Sequence, residues 1–290
     1  MITKVLGGLR RRLVERFWSR RFAGDTLRTW MHEPLVRRAI NRRITGDEHC
    51  WPLDHFATAW GDRSFDRGLS LGCGDGRLER DVLGKRICRT MEALDLSPTA
   101  VELARQQAAV EGFGEAVTYR VADLDALELP ESVFDIAFFH QSLHHVADLE
   151  GCLDQVRGAL APGGILYLDE LVGPSRTAWA PELLVDAQAA FDRLPSALKR
   201  RRKLGYPVDW RDPSEAVRSG EILEQVEQRF EIVERRDYGG HLLAMIHPML
   251  RPEALASEAG QTALAELLAT EDELLARGAA TFYTVITART

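Results

Sequence analysis

The spacing of apolar residues changes character along the chain. Residues 1–60 carry apolar side chains such as Leu9, Leu13 and Phe17 near helical spacing, which predicts helices there. From residue 68 onward, short apolar runs alternate with stretches of helical spacing, as in chains that alternate strand and helix. The first five predicted strands are 69–71, 88–94, 117–121, 134–139 and 165–168, and the helices between them start near residue 78 or span 99–111 and 149–160.

The alternation of strand and helix predicts the fold class. Five alternations indicate right-handed crossovers and a mostly parallel sheet. The pattern breaks after residue 170, and the proline-rich residues 171–220 are interpreted as an insertion that packs over the carboxyl edge of the sheet. The remaining predicted elements are helices at 221–230 and 254–277 and strands at 231–237 and 282–288.

We therefore predict an α/β protein with a Rossmann-like, doubly wound, seven-stranded and mostly parallel sheet. Residues 1–60 are expected to form an N-terminal helical cap, and residues 61–290 the main domain with its insertion at 171–220. In open sheets of this kind, ligands bind outside the carboxyl ends of the strands. Polar residues at those ends are therefore the candidates for function.

A glycine-rich turn follows the first predicted strand. Gly72, Gly74 and Gly76 stand at alternate positions after an apolar run, and Asp95 closes the next run. Glycine allows a sharp turn and lets a ligand approach the main chain without meeting a Cβ. The helix that follows offers free N–H groups, and an aspartate at the end of the second strand can accept hydrogen bonds from ribose hydroxyls. The pattern predicts a nucleoside-binding site.

The glycine spacing bears on which nucleoside is bound. The dinucleotide motif G-x-G-x-x-G requires glycine at the position of Arg77, so the chain reads G-x-G-x-G instead. The arginine at position 77 argues against an NAD-dependent enzyme. That class of enzyme is the less favoured alternative. A glycine-rich turn without cofactor chemistry is the other alternative.

Four segments resemble the core of the class I S-adenosylmethionine-dependent methyltransferases. They lie within residues 67–170, in the family's order and spacing. The segments are LSLGCGDGRLER (69–80), LDLSPTAVELAR (94–105), ADLDALELPESVFDIAFFHQSLHHV (122–146) and LAPGGILYLDE (160–170). The resemblance implies a methyltransferase whose cofactor is S-adenosyl-L-methionine, an adenosine derivative without a pyrophosphate.

The resemblance also implies which residues contact the cofactor. Asp95 is expected to bind the ribose hydroxyls, and Asp123 the adenine amino group; the alternative for each is a cap or turn residue. The implied cofactor-binding set is Gly72, Cys73, Gly74, Asp95, Leu96, Asp123, Leu124 and His140. One position departs from the family, because Ser70 stands where an acidic residue is common.

Methyl transfer to a hydroxyl calls for a group that handles the hydroxyl proton, and histidine suits this at neutral pH. We expect His144, His145 and Glu170 to be the catalytic residues, because they follow the fourth and fifth strands. The alternative for the two histidines is a helix cap and a core contact. No metal is expected, because a site built from these three residues matches no recognised ligand spacing.

The charge of the chain is unevenly distributed. The net charge is −7, yet residues 1–43 contain twelve Lys or Arg against three acidic residues. A basic helical segment can cover the main domain, or contact an anionic membrane surface or a partner. Four cysteines without a C-x-x-C pair indicate reduced thiols and a cytoplasmic location, with membrane association as an open alternative.

The sequence predicts a small-molecule, sugar or lipid-linked acceptor, methylated on oxygen. Nucleic acid is not expected as a substrate, because residues after 43 are acidic overall and no N-P-P-Y motif is present. The alternative function is a regulatory module that binds the cofactor and has lost catalysis.

Overall fold

The computed structural model of the protein describes residues 2–24, 29–61, 63 and 65–290. Within them, seven strands form one sheet in the order β3-β2-β1-β4-β5-β7-β6. Strands β1 to β5 run parallel to one another, and β7 runs antiparallel to both β5 and β6. The strands are β1 Phe65–Leu71, β2 Cys88–Asp95, β3 Val117–Val121, β4 Phe134–His140, β5 Leu160–Leu171, β6 Glu231–Gly239 and β7 Tyr283–Arg289. The predicted fold class is confirmed.

Helices cover both faces of the sheet. A large apolar cluster lies on each side, and β4 contributes to both, because Phe138 packs into one cluster and Phe139 into the other. Strands buried on both faces are expected in a parallel sheet. The helices are α1 Ile2–Phe22, α2 Pro34–Thr45, α3 Pro52–Ala59, α4 Arg77–Gly84, α5 Pro98–Val110, α6 Leu149–Ala159, α7 Val185–Arg193, α8 Ile222–Glu227, α9 Leu243–Ile246, α10 Pro252–Leu255 and α11 Glu258–Ala276.

Local sequence explains where several helices begin and end. The Ser97 hydroxyl accepts from the backbone N–H of Ala100 and caps α5, as serine before proline predicts. Gly46 ends α2 in the left-handed conformation at φ 85°. The predicted helix 254–277 is instead two helices, because the Ser257 hydroxyl accepts from Gly260 N–H and starts α11 afresh.

The N-terminal helices pack on the main body of the fold. Helix α1 lies along α5, whereas α2 packs against β6 and α11. Among the described residues, no helix combines the length and apolar character needed to cross a membrane. The division into 1–60 and 61–290 stays a prediction.

A buried ion pair fastens α2 to α11. Arg43 Nη1 donates to Glu271 Oε2 at 2.6 Å and to the carbonyl of Tyr238 at 3.0 Å. The other oxygen, Glu271 Oε1, accepts from the backbone N–H of Leu242 at 2.9 Å. The Glu271 side chain is fully buried and that of Arg43 nearly so, and Arg43 also pairs with Asp272 Oδ1 at 2.7 Å.

We predict that Glu271→Ala lowers the free energy of unfolding by about 1.5–3 kcal/mol, because Arg43 loses its buried partner and keeps only the more exposed Asp272. Urea unfolding followed by circular dichroism measures the change. The control is Arg42→Ala, whose exposed pair with Asp272 is expected to contribute less than about 1 kcal/mol. Equal effects of the two substitutions would contradict this prediction.

Candidate cofactor and acceptor site

The glycine turn joins β1 to α4 at the carboxyl edge of the sheet. Gly72, Gly74 and Gly76 adopt positive φ angles of 75°, 54° and 78°, which favour glycine. A Cβ on Gly72 would collide with Ser142, and a Cβ on Gly76 would lie 2.5 Å from the Tyr119 hydroxyl. The turn therefore requires glycine both for its backbone conformation and for space.

Asp95 ends β2 directly beside this turn. Its Oδ2 accepts from Gly74 N–H at 2.9 Å, and its Oδ1 accepts from Ser97 N–H at 2.8 Å. Burial raises the pKa of Asp95, and the two N–H donors act in the opposite direction. Each carboxylate oxygen can accept more than one hydrogen bond. The side chain can therefore hold the turn and still accept from two neighbouring hydroxyls.

Asp123 follows β3 at the same edge. Its Oδ1 accepts from Asp125 N–H at 3.1 Å and caps a short 3-10 turn that begins at Leu124. Its Oδ2 lies 3.6 Å from Arg11 Nε, and the carboxylate of Asp125 pairs with Arg10. Two arginines of α1 thus meet the two aspartates beyond β3.

Helix α1 continues from these ion pairs across the site. The Trp18 ring packs edge-on against His145, with ring centroids 5.1 Å apart. A Cβ added to Gly74 would lie 3.1 Å from Phe22 Cζ, so Phe22 packs close to the glycine turn. The helix therefore covers part of the predicted cofactor-binding set.

The other predicted cofactor contacts fall at the same edge. Cys73 is buried within the turn, where burial raises the thiol pKa well above its ordinary value. Leu96 is partly exposed next to Asp95. His140 ends β4 with about half of its side chain exposed, and its Nε2 lies 3.5 Å from Asp169 Oδ2.

Glu170, near the end of β5, organises the loop after β4. It is fully buried. Its Oε2 accepts from the backbone N–H groups of Ser142 at 2.8 Å and Leu143 at 2.7 Å. Its Oε1 accepts from Leu171 N–H at 2.8 Å and lies 2.5 Å from His144 Nδ1. This carboxylate therefore holds the loop conformation and the orientation of one imidazole.

The same loop is tied to the glycine turn. The Ser142 hydroxyl donates to the carbonyl of Leu71 at 2.6 Å, and Ser142 contacts the space that a Cβ on Gly72 would fill. The end of β1 and the loop after β4 are thereby held against each other. Residues predicted for the cofactor and residues predicted for catalysis meet at this contact.

His144 and His145 lie side by side, with ring centroids 4.0 Å apart. Burial alone would lower the pKa of His144, but the Glu170 carboxylate raises it to about 9. Burial and the neighbouring charge of His144 lower the pKa of His145 well below its ordinary value. The environment thus makes one imidazole a cation and the other neutral at pH 7.

The insertion after β5 completes the surroundings of His145. Its Nδ1 lies 3.2 Å from the Ser214 hydroxyl and 3.5 Å from Asp212 Oδ2. The Ser214 hydroxyl donates to Asp212 Oδ1 at 2.6 Å. Asp212 and Ser214 of this segment thus lie beside the loop after β4.

A second polar group at this edge was not anticipated from sequence. Asp169 accepts from the Tyr238 hydroxyl at 2.6 Å and from Gln141 Nε2 at 3.2 Å. Asp169 pairs with His140 across β4 and β5. The sequence did contain a signal for this group, because Asp169 interrupts the apolar run just before Glu170.

Glu79 is a further residue that sequence reasoning missed. It lies in the first turn of α4 and is fully buried. Burial raises its pKa, and the nearby Ser70 side chain acts in the opposite direction. Burial is the main cause of the raised pKa values of Cys73 and Tyr119, and the charge of Glu79 is the second cause. Glu79 therefore lies close to the glycine turn. The chain thus has an acidic side chain near the turn although Ser70 replaces the family's usual acid.

Comparison with known proteins gives the family. Residues 69–168 match the family described as a methyltransferase domain. The chain is 29% identical over 150 residues to a ubiquinone biosynthesis O-methyltransferase of Brucella anthropi, covering 51% of this chain and 58% of that protein. It is 32% identical over 120 residues to the 27-O-demethylrifamycin SV methyltransferase of Amycolatopsis mediterranei, covering 39% and 42%. The matches thus span about half the length of these curated relatives.

Solved structures share the fold. The [4+2]-cyclase SpnF superposes with a TM-score of 0.51 at 18% identity, covering 92% of this chain and 98% of that chain. Geranyl diphosphate methyltransferase in complex with SAM gives a TM-score of 0.50 at 16% identity, covering 77% of each chain. Identities this low concern the fold alone.

The matched segment, residues 69–168, is a methyltransferase domain, in agreement with the resemblance to the class I S-adenosylmethionine-dependent methyltransferases. The resemblance seen in the sequence is confirmed, and the cofactor of that family is S-adenosyl-L-methionine.

We predict that Glu79 makes the stability of the protein fall as pH rises from about 4.5 to about 7. Burial raises its pKa from 4.5 to about 7, so the folded state binds a proton there that the unfolded state has released. The contribution across this interval is ~3 kcal/mol. Glu79→Gln, which cannot ionise, is expected to lack it.

The measurement is urea unfolding of both proteins at about pH 5 and about pH 8, on either side of this interval. Glu79→Gln is expected to be the more stable of the two at the higher pH. Parallel losses of stability in the wild type and the variant would show that Glu79 ionises in the folded state as it does in water.

Proposed function

We propose that this protein transfers the methyl group of S-adenosyl-L-methionine to an oxygen atom of a small-molecule acceptor. The observation that carries the proposal is the contact between the glycine turn and the loop after β4, made through Ser142 and Leu71. It brings a nucleoside-type site and a pair of imidazoles to one point of the sheet edge.

The residues of the turn fit the cofactor. The three glycines leave main chain without side chains, and Asp95 retains acceptor capacity for the ribose hydroxyls. Asp123 is proposed for the adenine amino group and Leu124 N–H for the ring. Cys73 and Leu96 are proposed to contact the cofactor by packing, and His140 to line the junction with the acceptor.

The chemistry required of the protein is mostly alignment. The sulfonium of the cofactor is already activated, so holding the acceptor oxygen in line with it can supply roughly 7–11 kcal/mol of the barrier reduction. Glu170 is proposed as a positioning residue, because its oxygens are engaged by the loop and His144. The Nδ1 atoms of His144 and His145 both have partners, so the Nε2 atoms are proposed to meet the acceptor.

The relatives support oxygen as the methylated atom. The Brucella anthropi relative is named an O-methyltransferase of ubiquinone biosynthesis, and the Amycolatopsis mediterranei relative methylates 27-O-demethylrifamycin SV. A sugar or lipid-linked acceptor is the narrower proposal for this chain. Incubation with labelled S-adenosyl-L-methionine and fractionated cell extract, followed by mass analysis of the labelled product, tests it.

The alternative is a module that binds the cofactor without transferring methyl. This alternative is retained because a protein of the same fold is described as a [4+2]-cyclase. One fold can host functions other than methyl transfer. Cofactor binding without label in any extract fraction would favour the module. A labelled product would exclude it.

Membrane contact through α1 is a separate proposal. Arg10 and Arg11 are used in ion pairs with Asp125 and Asp123, but other basic residues of the helix are exposed. They are Arg12, Arg16, Arg20 and Arg21. Such a surface could attract anionic lipid while the protein remains cytoplasmic.

We predict that Asp95→Ala weakens binding of S-adenosyl-L-methionine at least about a hundredfold, because two hydrogen bonds to a charged acceptor contribute about 1.5–3 kcal/mol each. Calorimetric titration measures the affinity. Asp135→Ala is the matched control, since Asp135 Oδ2 also accepts two backbone N–H bonds, from Asp66 at 2.8 Å and Arg67 at 2.9 Å, but at the opposite end of the sheet. The control is expected to bind normally, and unchanged binding by Asp95→Ala would remove the ribose contact.

A further inference from the structure

Three side chains from two separate segments converge beside the proposed acceptor position. His144 and His145 come from the loop after β4, and Glu215 comes from the insertion after β5. One ligand atom from each of the three lies within 4.8 Å of the others. Zn(II) holds nitrogen and oxygen ligands at about 2.0–2.2 Å in tetrahedral geometry, so two ligands of one ion lie about 3.3–3.6 Å apart. The three groups thus lie near the spacing of metal ligands and would move closer together around an ion.

We propose that His144, His145 and Glu215 bind a divalent transition-metal ion. Two imidazoles and one carboxylate form a ligand set suited to zinc and to neighbouring divalent metals, and three protein ligands leave a coordination position open. The sequence did not predict this site. Glu215 is distant from the histidines in the chain, and the set considered from sequence contained Glu170 instead.

The hydrogen bonds of the two imidazoles suit this role. His144 Nδ1 lies 2.5 Å from Glu170 Oε1, and His145 Nδ1 lies 3.2 Å from the Ser214 hydroxyl. Each ring thus has its Nδ1 engaged, which leaves its Nε2 for a metal. The ion would displace the Nε2 proton of His144 and would meet the acceptor in place of the two rings. Histidine ligands in metal sites are commonly held in this way, with the second ring nitrogen bound to a carboxylate or another polar group.

The charges around His144, His145 and Glu215 also favour a bound cation. Glu170, Asp212 and Glu215 lie around the two imidazoles, and the nearest cation from another element, Arg10, is shared with Asp125. Asp212 Oδ2 is buried and has no hydrogen-bond partner among the described residues, although it lies 3.5 Å from His145 Nδ1. A divalent cation would balance this excess of negative charge in a site that is poorly accessible to water.

The use of the ion rests on the proposed function. An acceptor hydroxyl that occupied the open position would lose its proton to solvent more readily, because a bound cation stabilises the oxyanion. The oxygen would then face the methyl group held over the glycine turn. Methyl acceptors with a hydroxyl that can reach a metal ion are therefore the favoured class.

The test is a titration of the metal-free, full-length protein with Zn(II), followed by calorimetry and by the ring-proton NMR signals of its histidines. We expect one ion to bind per chain and the signals of two histidines to shift. Glu215→Gln, which keeps the shape but removes the charged ligand, is expected to weaken binding by at least about tenfold. Ser214→Ala is expected to weaken it too, since Ser214 orients His145.

His247→Gln serves as the control, because His247 is a partly buried histidine that lies near Glu33. It is expected to bind Zn(II) like the wild type. The proposal is overturned if the wild type binds no Zn(II), or if Glu215→Gln binds it as tightly as the wild type. Titration of the same metal-free protein with S-adenosyl-L-methionine separates the two hypotheses, since cofactor binding without metal binding rejects only the metal site.

Discussion

The site depends on the buried carboxylate of Glu170. It accepts hydrogen bonds from the backbone of Ser142, Leu143 and Leu171 and approaches the His144 ring. A buried charge with fewer partners would be costly, so these donors and the carboxylate require one another. These hydrogen bonds hold the loop after β4, from which both imidazoles project. The cofactor side is built in the same way, because Asp95 holds the glycine turn through Gly74 N–H.

Much of this architecture could be predicted from local sequence. Alternating strands and helices gave the fold class, and the carboxyl edge of the sheet followed from the polar residues that end each strand. The Ser97 cap and the glycine turn were predictable because both depend on neighbours in the chain. Resemblance to a family added the identity of the cofactor.

The contacts between distant segments could not be predicted. Glu215 reaches the histidines only through the path of the insertion, and Glu79 lies behind the glycine turn only because α4 packs there. The Tyr238 hydroxyl of β6 reaches Asp169 of β5 across β7, which lies between these two strands in the sheet. A single sequence carries no local signal for such pairings. The break between α10 and α11 is different, because the Ser257 cap that starts α11 is a local signal that the predicted helix 254–277 did not use.

Helix α1 lies against residues that are proposed to bind the cofactor. Its Arg11 pairs with Asp123, and its Phe22 packs near Gly74. Under that proposal, ligand and helix would compete for the same surface. The observed affinity would then equal the intrinsic affinity multiplied by the fraction of molecules in which the helix is displaced. Any factor that holds the helix away from the site would tighten binding while the pocket itself stays the same.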